Sequence, residues 1–246
     1  GTISTLRQGW EEIMEPLMIN EICGEYESTP EIKQEVREYI DESTGIQTIY
    51  QMQWLAEKVK DWGLNHEIYD AWDYKKKYND KLLNVVKKRI KKLKNNKKTP
   101  YQFRIKDSYQ FLKTLKENGI ELYLVSGTDH PDVLHEAEIL GVKKFFKEIA
   151  GVLTDKIYSS KKAVIKHLLE ERNIDPFKLL IIGDGKVEIS LGVERKTVTL
   201  GLATNEIKRE GINLWKRKRL IKAGAHAIAG DFKDYDKIIK WLEIGS

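Results

Sequence analysis

Residues 179–188 read LLIIGDGKVE, an apolar run that stops at a glycine and an aspartate. The run 179–182 has the composition of a buried strand, and the glycines after it favour a turn. Two carboxylates, Asp184 and Glu188, stand four residues apart at its end. Carboxylate oxygens are the hard ligands that Mg²⁺ takes in proteins, so the pattern favours a metal site. The structural alternative is that Asp184 caps a helix whose first turns carry Glu188.

Apolar runs alternate with helical segments on both sides of this stretch, from residue 100 to the end of the chain. Buried strands that alternate with helices are typical of an α/β fold with a doubly wound parallel sheet, Rossmann-like in its arrangement. Ligands bind such sheets at the carboxyl ends of the strands, so the polar residues directly after each strand are the functional candidates. The other predicted strands lie at residues 120–125, 146–152, 197–200 and 227–229.

The strand predicted at residues 120–125 is followed by Ser126 and Gly127. A hydroxyl and open backbone N–H groups at a strand end can hold an anion such as phosphate. The alternative is an ordinary turn, in which serine and glycine are common.

A lysine pair, Lys161 and Lys162, opens a helix predicted over residues 160–172, with Ser160 as its N-cap. A lysine at the start of such a helix could reach a bound phosphate. The alternative is a solvated surface pair, which is the commonest fate of lysine.

Taken together, these clusters resemble the haloacid dehalogenase-like superfamily of phosphohydrolases. Its second motif is an apolar strand that ends in Ser or Thr, here at Ser126. Its third is a lysine that opens a helix, here Lys161, which lies 23 residues before Asp184; Lys162 and Lys156 fit this motif less well. Its fourth motif is an apolar strand, then Gly-Asp with a second acid four positions on, although many members carry Asp where this chain has Glu188.

The family's first motif, an apolar strand followed by Asp-x-Asp-Gly-Thr, is where this sequence departs. Gly1 and Thr2 match the end of that motif, so the nucleophilic and acid–base aspartates are expected just upstream of Gly1. In the family this strand lies centrally, between the strands that end here at Val125 and Ile182. A sheet without it would have two unpaired edges and a gap in its core, so we expect an upstream strand in the natural protein. Direct pairing of the two flanking strands would contradict this expectation.

The resemblance implies Mg²⁺-dependent phosphoryl transfer through an aspartyl-phosphate, with a small phosphorylated metabolite as substrate. The metal would be held by the nucleophile and Asp184, with Glu188 orienting a metal-bound water. Hydroxyl, backbone N–H and ammonium groups would neutralise charge on the transferring group, and a threonine would support the first-motif loop. The phosphate-binding and catalytic residues implied are Ser126, Gly127, Lys161 and Thr2.

The chain before residue 99 has a different character, because residues 9–98 show the 3.6-residue periodicity of helices almost throughout. Family members of one type insert an α-helical cap domain directly after the first motif. The resemblance therefore implies a core made of residues 1–13 and 99–246, and a cap made of residues 14–98. A cap of this kind excludes water during the reaction and selects the substrate.

Positive charge is concentrated in residues 75–98, which hold 12 Lys and Arg and one acid. The chain carries a net charge of +5, but its remainder, with 31 basic and 37 acidic residues, is acidic. This basic segment could indicate nucleic-acid binding. No interleaved aromatic residues accompany the lysines, however, so a solvated helix face is favoured. A basic face could also draw anionic substrates toward a nearby cleft.

Composition excludes several other classes. With 41% hydrophobic and 33% charged residues the sequence is typical of a soluble globular protein. No apolar run approaches the roughly 20 residues of a membrane helix, and no leader is evident, so we expect a cytoplasmic protein without membrane contact. The single cysteine, Cys23, cannot form an internal disulfide, and no zinc-ligand spacing occurs.

Two alternatives to a phosphohydrolase remain open. A phosphomutase on the same scaffold would use the same four motifs and would require a bisphosphate activator. A non-catalytic binding or regulatory module is the other alternative, because a chain without the nucleophile is expected to be inactive. The residues that precede Gly1 would distinguish these possibilities. The sequence specifies neither the substrate, nor the oligomeric state, nor whether a further domain is attached.

Overall fold

The computed structural model describes residues 1–95, 97–152 and 160–244. It divides into two compact units, an α/β unit of Gly1–Gln8 with Ile90–Ser246 and a helical unit of Gly9–Arg89. The second boundary falls inside a long helix, whereas the sequence suggested the loop near residue 98. The reason is that the helical periodicity of the lysine-rich segment continues without a break from one unit into the next.

The helical unit contains α1 (Trp10–Cys23), α2 (Pro30–Glu42), α3 (Thr48–Trp62) and most of α4 (Ala71–Lys94). Local chemistry fixes several ends of these helices. The Thr29 hydroxyl accepts from the backbone N–H of Ile32 at 3.4 Å and so caps α2. Gly63 adopts the left-handed conformation that ends α3, with φ of 62°. The core of this unit is fully buried and includes Met14, Met18, Ile32, Met52 and Leu55.

Helix α4 separates its apolar residues from its lysines. The apolar positions are buried at Tyr74, Tyr78, Leu82 and Val86, whereas the lysines between residues 87 and 92 are exposed. Such a helix places a solvated basic face on the surface. Among the described residues, no helix is both long enough and apolar enough to cross a membrane.

The strands of the α/β unit pair in parallel, which confirms the predicted fold class. In this unit β1 (Tyr123–Asp129) pairs with β2 (Glu148–Val152), while β3 (Leu180–Gly183) pairs with β4 (Val198–Leu202), and β4 pairs with β5 (Ala227–Ala229). The helices are α5 (Ser108–Glu117), α6 (His130–Ile139), α7 (Lys161–Lys166, extended by a π-helical turn His167–Glu171), α8 (Lys186–Glu194), α9 (Leu214–Lys222) and α10 (Tyr235–Trp241).

Helices cover both faces of β4, as the doubly wound arrangement requires. Leu200 and Leu202 pack into one hydrophobic cluster with residues of α5 and α10. On the opposite face, a Cβ added to Gly201 would lie 3.1 Å from Leu220 of α9. Because successive side chains of a strand point to opposite faces, a continuous apolar run is buried on both sides.

The strand β1 differs from its prediction. It begins at Tyr123 and continues to Asp129, so Ser126 and Gly127 lie inside the strand rather than after it. Pairing with β2 resumes between Asp129 and Val152 after a register irregularity that begins at Val125. Such bulges re-aim backbone and side-chain groups beside functional sites.

The parallel sheet is split into two parts, with strand orders β2-β1 and β3-β4-β5. In the part of the chain that the structure describes, neither β1 nor β3 has a partner on its second side. Their flanks nevertheless share hydrophobic clusters, one that includes Leu122 and Ile182 and another that includes Val125 and Leu179. The two edges therefore lie near each other without pairing directly, and the expected intervening strand stays a prediction.

Candidate active site

Asp184 follows directly on β3, at the carboxyl end of the sheet. Its Oδ2 accepts from the amino nitrogen of Gly1 at 2.8 Å and from Lys216 Nζ at 3.1 Å. Its Oδ1 accepts from the Thr2 hydroxyl at 2.9 Å. The side chain is 16% exposed, so these three donors supply most of its solvation.

The charges at this point stabilise one another. Burial alone would raise the pKa of Asp184, but the positive charge of Lys216, with hydrogen bonds from Gly1 and Thr2, holds that pKa well below its ordinary value. Burial alone would lower the pKa of Lys216, yet Asp184 and Glu206 raise it above its ordinary value. Asp184 is therefore a carboxylate, and Lys216 an ammonium group, at neutral pH.

Helix α9 brings two cationic side chains to Asp184. The Asn213 side chain caps this helix by accepting from two backbone N–H groups of its first turn, at 2.9 and 3.1 Å. Lys216 then contacts Asp184 and also donates to Glu206 Oε1. One turn further, Arg219 donates to the carbonyl oxygen of Asp184 at 3.2 Å.

The sequence analysis predicted neither this helix nor the contacts of Lys216 with Asp184 and Glu206. A local signal for the helix was present, because an asparagine N-cap at Asn213 and a left-handed Gly224 bracket a helical run. No local signal links Lys216 to Asp184, which lies 32 residues away in the chain.

Glu188 is buried in the first turn of α8 and pairs with Lys161. Its Oε2 accepts from Lys161 Nζ at 2.9 Å, and its Oε1 accepts from the backbone N–H of Gly185 at 2.8 Å. Ser160 caps α7, as predicted, by accepting from the backbone N–H of Ala163 at 3.1 Å. This cap fixes the start of the helix and so the direction in which Lys161 extends.

The sequence analysis considered two other lysines for the third motif. Lys162 is exposed on the surface of α7. Lys156, the third sequence candidate, lies outside the described residues.

Two small details explain the packing around Glu188. A Cβ added to Gly183 would lie 2.1 Å from Glu188 Cγ, so only glycine allows this approach. The N-cap position of α8 is Gly185, and Asp184 makes no capping hydrogen bond to that helix. The alternative interpretation of Asp184 as a helix cap is therefore wrong.

The predicted phosphate-binding pair lies on β1. The Ser126 hydroxyl accepts from the backbone N–H of Thr128 at 3.2 Å, a contact within its own segment. Over the described ranges, the hydrogen bonds of Ser126 do not connect it to Lys161 or Asp184. The structure thus links Thr2 with Asp184 and Lys161 with Glu188, and it leaves Ser126 and Gly127 on the other half of the split sheet.

The fit to magnesium rests mainly on Asp184. Within residues 1–95, 97–152 and 160–244, no three His, Cys, Asp or Glu side chains are grouped as a metal site would require. Magnesium, however, commonly takes only one or two protein carboxylates and completes its shell with waters and substrate phosphate. Asp184 offers hard oxygens at a point where positive charge is already stabilised, so it fits such an ion. Glu188 has both oxygens engaged, by Lys161 and Gly185.

Comparisons with known proteins identify the family of the chain. A sequence model of the haloacid dehalogenase-like hydrolase family matches residues 2–193, so the chain belongs to that family. The resemblance seen in the sequence is thereby confirmed. No curated protein matches the chain.

Solved structures of the same fold cover nearly the whole chain. A predicted phosphatase from Clostridium acetobutylicum is 16% identical, with a TM-score of 0.60 over 98% of this chain and 94% of the other. A β-phosphoglucomutase from Clostridium difficile is 13% identical, with a TM-score of 0.61 over 99% and 93% of the two chains. A phosphonoacetaldehyde hydrolase-like protein from Oleispira antarctica is 14% identical, with a TM-score of 0.61 over 98% and 89%. At these identities the likeness establishes the fold alone.

Proposed function

We propose that the natural protein is a Mg²⁺-dependent phosphohydrolase that acts on a small phosphorylated metabolite. One observation carries the proposal: the buried Asp184 carboxylate gathers the Thr2 hydroxyl, the backbone nitrogen of Gly1 and the Lys216 ammonium group at the carboxyl end of β3. Glu188, in the first turn of the helix that follows the same strand, forms an ion pair with Lys161 at the start of α7. Phosphoryl transfer depends on such preorganised charge, because its catalysis is mostly positioning and electrostatic stabilisation.

The nucleophile of this reaction is proposed to be an aspartate in a strand that pairs with both β1 and β3, just upstream of Gly1. Two facts support its position. The facing sides of β1 and β3 lack partners in the described structure although their flanks share hydrophobic clusters. Gly1 and Thr2 also lie within hydrogen-bond distance of Asp184. The aspartate would attack phosphorus as the bond to the leaving oxygen breaks, and water would then hydrolyse the aspartyl-phosphate.

The chain's own residues take defined roles in this scheme. Asp184 would hold the magnesium ion, which when bound neutralises negative charge on the phosphate oxygens. Thr2 orients Asp184 through Oδ1. Lys161, kept in place by Glu188, offsets charge on the transferring group. On β1, the Ser126 hydroxyl and the backbone N–H of the next residue, Gly127, donate to phosphoryl oxygens.

The helical unit Gly9–Arg89 is proposed as the cap that was expected over residues 14–98. A cap excludes water from the site and selects the substrate. The unit has its own buried core, which includes Met52 and Leu55, and this suits a part that moves as a body.

The experiment uses the protein produced with the residues that its gene encodes before Gly1. Phosphate release from a panel of small phosphate monoesters is measured with and without Mg²⁺. We expect magnesium-dependent release, and Asp184→Asn should lower it by about 100-fold or more because a charge-stabilising group at the reacting centre is lost. Asp236→Asn, a matched change at an exposed position of α10, should leave the rate unchanged.

Other outcomes would count against the proposal. If no Asp-x-Asp precedes Gly1 and no monoester releases phosphate, a non-catalytic module is favoured. If the phosphoryl group returns to the product and a bisphosphate is required, the protein is a phosphomutase. Equal rates for Asp184→Asn and the unaltered protein would contradict the assignment of the metal to Asp184.

A further inference from the structure

Lys216 lies between two carboxylates. Its Nζ is 3.1 Å from Asp184 Oδ2 and also donates to Glu206 Oε1. All three side chains are mostly buried, with exposed fractions of 12% for Lys216, 16% for Asp184 and 14% for Glu206. Charges at this depth are screened by water less than surface charges, so their mutual attraction is substantial.

The helix that carries Lys216 is anchored on the same segment. Asn213 caps α9, and Arg219 from its next turn binds the carbonyl oxygen of Asp184. With the backbone held at both points, the lysine side chain is the part that can change partner. Its flexible four-carbon stem allows the ammonium group to shift between neighbouring oxygens.

A metal ion at Asp184 must compete with this ammonium group. Both cations seek the same carboxylate, and two positive charges that share one carboxylate repel each other. Glu206 favours the metal in this competition, since it gives Lys216 a second carboxylate that remains available when Asp184 binds a metal.

We propose that Lys216 is a resident cation which competes with a divalent metal for Asp184, and that Glu206 is a positioning residue which draws Lys216 aside when the metal binds. The inference rests on the proposed function only in taking Asp184 as a metal ligand. It assigns to these two residues the control of metal affinity, which the sequence motifs do not assign to them.

The test is an equilibrium titration with Mn²⁺, a paramagnetic stand-in for Mg²⁺, on the protein produced with the residues before Gly1. Free Mn²⁺ is followed by electron paramagnetic resonance, so no turnover is needed. Lys216→Met should tighten binding by about tenfold because the competitor is removed while the stem is kept. Glu206→Gln should weaken it several-fold, since Lys216 is left with Asp184 alone. Lys218→Met, on the exposed side of α9, is the matched control and should change the affinity by less than about twofold.

The double variant separates the two roles. If Glu206 acts through Lys216, Glu206→Gln should have little effect in the Lys216→Met background. An equal effect in both backgrounds would show that Glu206 acts on the metal directly and would overturn its positioning role. Lys216→Gln serves as a second replacement, and the increase in melting temperature with Mn²⁺ should be larger in either Lys216 variant than in the unaltered protein.

Failure of this inference is distinguishable from failure of the proposed function. Phosphate release with an Mn²⁺ affinity that is the same in all variants would overturn the inference and leave the function standing. Opposite shifts in affinity without any phosphate release would support the inference and count against the function. Tighter binding in Glu206→Gln would overturn the inference in either case.

Discussion

The polar groups near the carboxyl ends of β3 and β1 differ in chemistry and in how their hydrogen bonds are satisfied. At β3 the carboxylates of Asp184 and Glu188 are buried, and each is matched by positive charge from elsewhere in the chain. At β1 the hydroxyl of Ser126 bonds within its own segment. A buried carboxylate is costly without partners, whereas a hydroxyl or an N–H group beside a bulge is satisfied locally. The chain therefore positions the carboxylates of the candidate site by long-range contacts, and the Ser126 hydroxyl by a local one.

The largest effect is expected beside these carboxylates. Lys161→Ala should lower kcat by about 100-fold or more, because it removes an ammonium group from the transferring phosphoryl and leaves Glu188 without its counter-charge. Lys162→Ala is the matched control on the same helix, and its exposed side chain should change kcat by less than about twofold. Equal, small effects of the two changes would show that Lys161, like Lys162, is a surface lysine without a role in catalysis.

A steric change at the end of β3 should come next. The Cβ of Gly183→Ala would overlap Glu188 Cγ and force it to move. We expect a loss of about 1–3 kcal/mol in the free energy of unfolding, measured by urea denaturation, together with lower activity. Unchanged stability would mean that Glu188 can move away without cost, and the inference that its packing against Gly183 requires glycine would be wrong.

A smaller loss is expected at β1. Ser126→Ala should lower kcat/KM by about tenfold, since one neutral donor to the phosphoryl group is lost, and it should leave the unfolding free energy almost unchanged. Ser126→Thr keeps the hydroxyl and should restore most of the rate. A large loss of stability in Ser126→Ala would place this residue with the structural groups of β3 instead.

The smallest effect is expected from the basic face of α4, far from either strand end in sequence. Replacing Lys87, Lys88, Lys91 and Lys92 by Gln should lower kcat/KM by less than about threefold at low salt and leave kcat unchanged. These lysines are exposed, which favours a solubilising role over substrate attraction. A fall much larger than this that disappears as salt is raised would show that the lysines steer the substrate.

The sequence predicted the features that depend on local patterns. The fold class and the family followed from apolar runs that end at polar residues, and the strand at residues 227–229 has the predicted bounds. The Ser160 cap is also present where it was expected. Such signals are local because burial and capping act within a few residues.

Other features depend on contacts that the sequence does not reveal. Strand β1 continues past Ser126 and Gly127 because its pairing with β2 resumes at Asp129, although these two residues alone favour a turn. The role of Lys216 depends on a long-range ion pair, and a lysine in a basic helix is otherwise read as a surface residue. The catalytic assignments of Thr2, Ser126, Gly127 and Lys161 stay predictions until activity is measured.

The contacts of Asp184 also bear on the order in which this protein folds. Gly1 and Thr2 lie 183 and 182 positions from Asp184 in the chain, and the entire helical unit is encoded between them. Closing so long a loop is entropically unfavourable, and contacts of such high sequence separation generally form late. The helices of residues 9–89 depend on shorter-range contacts and are expected to form first. If Asp184 binds a metal as proposed, only chains that have finished folding would bind it. Partly folded chains would then take up no Mn²⁺ in the titration.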